Sequence, residues 1–130
     1  MKFYLKENGM RIDLDYGELS ISGNEEYGYR PFQLMVASIV GCSGSVFRKI
    51  LEKQRTEIED MTITAEVERN PRVANRIERI SLHYSIKGYQ LNKEKLYKNL
   101  ELSRKNCSMI RSVESSIKIE ETLDAIELNR

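Results

Sequence analysis

The sequence has few of the side chains on which metal and hydrolytic enzymes depend. Its 130 residues include one histidine and two cysteines, and the cysteines form no Cys-x-x-Cys motif. A site of clustered Cys and His ligands is therefore not expected, and no nucleophile-elbow motif supports a serine hydrolase. The glycines form no phosphate-binding loop. We predict no metal and no cofactor. The thiols of Cys42 and Cys107 are then the best nucleophiles and redox groups that the chain offers.

The sequence also lacks a dominant charge sign, and we expect no apolar run of membrane-spanning length. The chain has 21 basic and 20 acidic residues, a net charge of +1, so no global field attracts nucleic acid or anionic lipid. We expect no membrane span, which needs about 20 apolar residues, and the N-terminal segment lacks a signal-peptide core. The prediction is one domain over residues 1–130 in the cytoplasm, where thiols stay reduced unless they are catalytic or redox-sensing.

Hydrophobic periodicity predicts the element order β-β-β-α-β-β-α-α-β, an α+β domain built on antiparallel pairing. Asp15-Tyr16-Gly17 is predicted as a tight turn, in which Gly17 would tolerate a positive φ. Pro31 suits the first position of a helix, and Asn92 is expected to cap another. The predicted strands cover residues 2–6, 10–15, 19–22, 61–69 and 80–87 and a last segment from Ile117, and the helices cover residues 31–54, 93–105 and 107–115.

The predicted helix over residues 31–54 is apolar around nearly its whole circumference until Arg48. Such a helix is normally enclosed on all sides, and one sheet of so short a chain can hardly cover it, so a second subunit is expected to supply the rest. Gly41 and Gly44 flank Cys42 and are poor formers of helix interiors. They indicate close approach of another helix, a substrate or a partner sulfur.

The two cysteines differ in their local surroundings. If Asn106 caps the short helix that follows, Cys107 lies in its first turn, where unpaired N–H groups favour a thiolate. Alternatively, Cys107 is only the last member of a buried stripe with Leu96, Leu100 and Ser103. Cys42 lies about three turns into its helix, where the dipole helps little, and it is alternatively a helix-packing residue. The lone His83 falls on a polar strand face and is expected to be solvent-facing or cross-strand.

Two segments of the chain resemble the OsmC/Ohr superfamily (osmotically inducible and organic hydroperoxide resistance proteins). The run from Tyr29 to Cys42, with its sequence YRPFQLMVASIVGC, looks like the proline-to-cysteine helix of that family. The run NCSMI from Asn106, followed by the strand from Ser116, resembles the family's C-terminal cysteine helix and final strand. The hairpin and helix between them occur in the family's order, so the resemblance covers nearly the whole chain.

The resemblance implies an intertwined homodimer, in which antiparallel sheets wrap around long central helices that carry the cysteines. It also implies that Cys42 is a peroxidatic thiolate that attacks an organic hydroperoxide, and that Cys107 is the resolving cysteine. The resulting disulfide would be reduced by a dithiol, such as dihydrolipoamide or a thioredoxin-like protein. In this interpretation Phe32, Met35 and Phe47 are expected to line the substrate pocket.

The chain departs from the peroxidase pattern at Phe32. Active members of the family carry a Glu directly after the helix-opening proline, paired with an Arg that stabilises the thiolate. Here Gln33 would have to orient the guanidinium, which is assigned to Arg11 by position, with Arg30 as the alternative. Without a nearby cation, a buried Cys42 would have a raised pKa.

These features leave three hypotheses for function. The first is a two-cysteine thiol peroxidase for organic hydroperoxides, which would serve defence against oxidative stress. The second, favoured by Phe32, is a non-peroxidase OsmC-like dimer whose central pocket binds a hydrophobic or sulfur-containing ligand. The third is a purely structural pair of buried cysteines.

Overall fold

The computed structural model describes all 130 residues and has the predicted order of six strands and three helices. It is a mixed α+β fold in two compact units, Met1–Ala37 and Ser38–Arg130. The elements are β1 (Tyr4–Lys6), β2 (Gly9–Asp13), β3 (Glu18–Ile21), α1 (Pro31–Lys53), β4 (Glu57–Asn70), β5 (Arg76–Tyr89), α2 (Lys93–Asn106), α3 (Ser108–Val113) and β6 (Lys118–Glu127).

The first unit contains an antiparallel sheet in the order β1-β2-β3. Leu14 and Gly17 exchange both backbone hydrogen bonds, which confirms a tight turn between β2 and β3. The expected positive φ at Gly17 is wrong, because Gly9 is the glycine that adopts one, at 139°. A Cβ at Gly9 would lie 2.1 Å from the carbonyl oxygen of Ile21, so the close strand neighbour requires glycine there.

The second unit contains a sheet in the order β4-β5-β6. The hairpin of β4 and β5 is antiparallel, as predicted. β6, however, runs parallel to β5, from Arg79 opposite Lys118 to Gly88 opposite Glu127. Purely antiparallel pairing is therefore wrong for this strand. The physical reason is the connection: α2 and α3 carry the chain back along the sheet before β6 begins, as a parallel crossover requires.

Within the second unit, α1 buries one stripe of residues spaced four apart: Ile39, Ser43, Phe47 and Leu51. Other apolar residues of the same helix, including Val40, Val46 and Ile50, are only half-buried. The chain alone therefore does not enclose the helix. With a mean hydropathy of 1.5 over an 18-residue stretch, α1 is long and apolar enough to cross a membrane. The expectation that no run reaches that length is wrong, although core helices of soluble proteins meet the same criterion.

α2 and α3 meet at Cys107. Asn92 caps α2 as predicted, since its side chain accepts a hydrogen bond of 3.0 Å from the Lys95 N–H. Asn106 does not cap α3; its side-chain amide donates to the carbonyl of Leu102. The N-cap residue of α3 is Cys107 itself, without a side-chain cap. The predicted stripe of Leu96, Leu100, Ser103 and Cys107 is fully buried.

Candidate functional site: a cysteine pair at the start of α3

The fold of the second unit brings the two cysteines together. Cys42 projects from the middle of α1 and is half-buried, whereas Cys107 has no exposed surface between α2 and α3. Both are free thiols, and each shifts the pKa of the other. We refer to Cys42 and Cys107 as the cysteine pair. The Cys42 sulfur also lies 3.7 Å from the hydroxyl oxygen of Ser108.

The beginning of α3 lowers the pKa of Cys42. The largest contribution is the backbone N–H of Met109, and burial of the sulfur opposes it. The thiol of Cys107 and the hydroxyl of Ser108 lower the pKa further. Hydrogen bonds to the ionised form stabilise a thiolate in this way. The helix start that was expected to activate Cys107 thus also acts on Cys42.

Cys107 shows the opposite shift. Burial raises its pKa most, and the hydrogen bond and the negative charge of Cys42 raise it as well. The backbone N–H of Ile110 acts in the other direction but does not reverse the result. The pair is therefore asymmetric: Cys42 is the more acidic thiol and Cys107 retains its proton, as expected for two strongly interacting groups.

A buried polar cluster lies next to the cysteine pair, and we did not predict it. The Tyr84 hydroxyl donates to Glu121 Oε2 at 2.6 Å and contacts the Ser43 hydroxyl. The side chain of Glu121 is only 6% exposed. Burial raises the pKa of Glu121, whereas Tyr84, Arg104 and Ser43 lower it in part. A sequence signal existed, since Glu121 interrupts the apolar alternation of β6, but its partners lie far away in the chain.

In the first unit, the two arginines considered as thiolate partners each have local contacts. Arg11 forms an ion pair of 3.1 Å with Asp13, and its guanidinium lies 4.9 Å from the ring centre of Tyr4. Arg30 lies over the ring of Phe32 at 4.8 Å. These contacts are those of exposed or half-buried side chains, and the activating role of Arg11 stays a prediction.

The remaining predicted site residues lie on α1. Gln33 is exposed in the first turn, and Met35 is 42% exposed. Phe47, in the second unit, has no exposed surface and packs edge-on against Tyr84 with 5.6 Å between ring centres. Its contacts are therefore with the core of this chain. The substrate-pocket role of Phe32, Met35 and Phe47 and the orienting role of Gln33 stay predictions.

His83 lies on the polar face of β5, as predicted. Its ring nitrogens are 2.7 Å from the Thr122 hydroxyl and 3.1 Å from the Asp124 carboxylate, both on β6. The histidine is thus a cross-strand residue. None of its contacts reaches the cysteine pair.

Solved structures of other proteins share this fold. A hypothetical protein from Aquifex aeolicus VF5 superposes with a TM-score of 0.87 at 23% identity, over 98% of this chain and 96% of that one. An OsmC-like protein from Mycoplasma pneumoniae gives 0.84 at 13% identity, over 97% and 95% of the two chains. An organic hydroperoxide resistance protein from Elizabethkingia anophelis gives 0.77 at 16% identity, over 96% and 94%.

At these low sequence identities, the structural similarity shows the fold alone. Among curated proteins, none matches the sequence. The family model described as OsmC-like protein, in contrast, matches residues 22–122, a span that includes both cysteines and the buried polar cluster. The expected resemblance is thereby confirmed over most of the sequence, and the chain belongs to the OsmC-like protein family.

Proposed function

We propose that this protein is a thiol-dependent peroxidase that reduces organic hydroperoxides through Cys42 and Cys107. The observation that carries the proposal is a pair of interacting free thiols with opposite pKa shifts, lowered at Cys42 and raised at Cys107. A peroxidatic cysteine needs thiolate character, and a resolving cysteine must lie beside it. Organic hydroperoxide resistance proteins with the same fold support the assignment.

In the first step, the Cys42 thiolate attacks one oxygen of the peroxide bond. An S–O bond forms, the O–O bond breaks, and the alkoxide takes a proton from solvent and leaves as an alcohol. Cys42 is then a sulfenic acid. The Met109 N–H and the Ser108 hydroxyl hold the attacking sulfur as a thiolate before the peroxide arrives.

In the second step, the sulfur of Cys107 attacks the sulfenic sulfur of Cys42. The S–S bond forms, the S–O bond breaks, and the departing hydroxide takes the proton of Cys107 and leaves as water. A dithiol then restores both thiols by exchange and becomes a disulfide itself. Dihydrolipoamide or a thioredoxin-like protein has the required chemistry.

We also propose that the protein is a cytoplasmic homodimer. Half-buried apolar residues on α1, among them Val40, Val46 and Ile50, support a second subunit. Two open hollows of about 460 and 440 Å³ flank the same helix. A free thiol pair of this kind is compatible with a reducing compartment.

The peroxidase proposal is tested by mixing reduced protein with cumene hydroperoxide in a stopped-flow instrument. The mass of the oxidised protein is then measured by mass spectrometry. Wild type should lose two hydrogen atoms per chain as the disulfide forms. Cys107→Ser should stop at the sulfenic acid, with one added oxygen, and Cys42→Ser should not react. Survival of both wild-type thiols for minutes in excess peroxide would refute the proposal.

A second candidate is a non-peroxidase dimer that binds a hydrophobic or sulfur-containing ligand. The contact that favours it is Arg30 over the Phe32 ring at 4.8 Å, at the position where peroxidases of the family carry a Glu. A ligand that binds only the folded state raises the melting temperature. Copurification of such a ligand, with thiols inert to peroxide, would support this candidate over the first.

A further inference from the structure

The Ser108 hydroxyl lies beside the sulfur that the proposed reaction oxidises. Its oxygen is 3.7 Å from the Cys42 sulfur, although the two residues are 66 positions apart in the sequence. Ser108 is the first residue of α3 and is exposed, whereas Cys42 is half-buried in α1. The hydroxyl is therefore in contact with the reacting sulfur and is also accessible to water.

The proposed reaction requires a proton at the oxygen that leaves. When the Cys42 thiolate attacks a hydroperoxide, the O–O bond breaks and an alkoxide departs, which is a strong base and a poor leaving group without a proton. A general acid must lie within hydrogen-bond reach of that oxygen, about 2.6–3.2 Å. Because the two peroxide oxygens are bonded to each other, a donor that contacts the attacking sulfur is close to both of them.

The other groups near Cys42 do not suit this role. Ser108 lowers the pKa of Cys42 through its backbone as well as its hydroxyl, and the remaining groups that lower it are the Met109 backbone and the Cys107 thiol. A backbone N–H keeps its proton, and the proton of Cys107 is used in the second step, when hydroxide leaves. The single histidine, His83, has its side-chain contacts on β6 instead.

We propose that Ser108 is a catalytic residue whose hydroxyl donates the proton to the alkoxide that leaves as Cys42 is oxidised. This inference rests on the proposed peroxidase function. The S–O bond forms and the O–O bond breaks, so the sulfur loses two electrons and the peroxide gains them. The Ser108 O–H bond breaks towards the alkoxide while the same oxygen takes a proton from solvent. The alcohol then leaves and the serine is restored.

The test compares two oxidants whose leaving groups differ in basicity. Cumene hydroperoxide releases an alkoxide, which needs a proton, whereas peracetic acid releases a carboxylate, which stays ionised at neutral pH. Reduced wild type and Ser108→Ala are mixed with each oxidant in a quenched-flow instrument, and mass spectrometry follows the loss of the reduced chain.

In Ser108→Ala, the ratio of the cumene hydroperoxide rate constant to the peracetic acid rate constant should fall about 100-fold. This value is the lower end of what a general acid contributes, because water can partly replace an exposed hydroxyl. A change in the thiolate fraction of Cys42 slows both oxidants alike and cancels in the ratio. The ratio therefore reports proton donation and not thiolate stabilisation.

Two matched variants separate the proton from the structure of α3. Ser108→Thr keeps a hydroxyl at the same position and should retain a ratio near that of wild type. Ser112→Ala removes a hydroxyl one turn later, which donates to the Ser108 carbonyl at 2.7 Å, and should leave the ratio unchanged. If Ser112→Ala lowers the ratio as Ser108→Ala does, or if Ser108→Thr fails to retain it, the inference is overturned.

The behaviour of wild type separates this inference from the proposed function. Equal slowing of both oxidants in Ser108→Ala would mean that the hydroxyl acts only on the thiolate, and it would overturn the inference while wild type remains a peroxidase. Unchanged rate constants in Ser108→Ala would do the same. A wild type that is inert to cumene hydroperoxide, whatever its reaction with peracetic acid, would refute the proposed function and the inference with it.

Discussion

At Cys42, hydrogen-bond donors from the backbone and from neighbouring side chains account for the lowered pKa. The Met109 N–H is the largest of them, and Ser108 and Cys107 add to it. Because the helix already holds this N–H group in place, the backbone does not have to reorganise when the Cys42 thiolate forms. The side chain of Phe32 is not among these groups, so the lowered pKa of Cys42 does not depend on a carboxylate at position 32.

Ser108→Ala should raise the pKa of Cys42 by less than one unit. The hydroxyl is 3.7 Å from the sulfur, and it contributes less than the Met109 N–H, which the variant keeps. The measurement is the pH dependence of Cys42 alkylation by iodoacetamide, followed by mass spectrometry. Ser115→Ala, on an exposed position beyond α3, is the control and should titrate like wild type. A shift larger than one unit would mean that the hydroxyl is the main donor.

Glu121 should make folding stability fall as pH rises above about 4.3, the ordinary pKa of Glu. Its pKa is raised in the fold by burial, so the folded state holds a proton that the unfolded state has already lost. Stability then decreases with rising pH up to the raised pKa. The measurement is urea unfolding of wild type and Glu121→Gln from pH 4 to 8; the stability of wild type relative to the variant should decrease.

The neighbouring residue Glu120 provides a control of opposite sign. Its pKa is lowered, chiefly by the hydrogen bond from Lys118. The stability that ionised Glu120 contributes is present above the ordinary pKa and is lost as pH falls through the lowered one. Wild type relative to Glu120→Gln should therefore lose stability on acidification. Parallel pH trends for the two variants would contradict one of the two assignments, and the sign of the shared trend would show which.

At the scale of elements, α1 carries two glycines with different surroundings. A Cβ at Gly41 would meet nothing within 4 Å, whereas a Cβ at Gly44 would lie 3.1 Å from the Ile63 Cδ1 on β4. Gly41 is thus exposed within one chain, and Gly44 permits close approach of the helix to the sheet. Substitutions at these two positions therefore measure the effects of helix propensity and of packing separately.

Gly41→Ala should stabilise the protein by about 0.5–1 kcal/mol, because alanine favours the helix and nothing in the chain opposes it. Gly44→Ala should gain less or lose stability, since the Ile63 side chain must move. Equilibrium urea unfolding at several protein concentrations measures both. Destabilisation by Gly41→Ala would contradict the exposed position and would place a second subunit against this turn of α1.

For the whole molecule, the proposed homodimer predicts a mass near twice the 15.2 kDa of one chain. Ile50 lines the hollow of about 440 Å³ beside α1 together with Lys49 and Leu102. Ile50→Glu should shift the protein towards the single-chain mass in light scattering, because a buried unpaired carboxylate opposes association. Lys49→Glu, a charge change on the same hollow, should have a smaller effect. A wild-type mass of one chain would refute the homodimer.

Much of this fold could be predicted from local patterns. Alternation identified β4 and β5, the helical period identified α1 and α2, and Asn92 marked the start of α2, since all of these depend on residues close in sequence. Strand direction could not be predicted in the same way. β6 pairs parallel to β5 because of the path of α2 and α3, which no residue of β6 specifies.

The chemistry of the site divides in the same manner. The identity of the two thiols and the small residues beside Cys42 were evident in the residues themselves, because reactivity begins with atom type. Which of the two thiols has the lowered pKa was not evident from the sequence, and the local argument favoured Cys107. Only the packing of α1 against the start of α3 directs the Met109 N–H to Cys42, and only the meeting of four elements encloses Glu121. Ionisation responds to neighbours in space, whatever their separation along the chain.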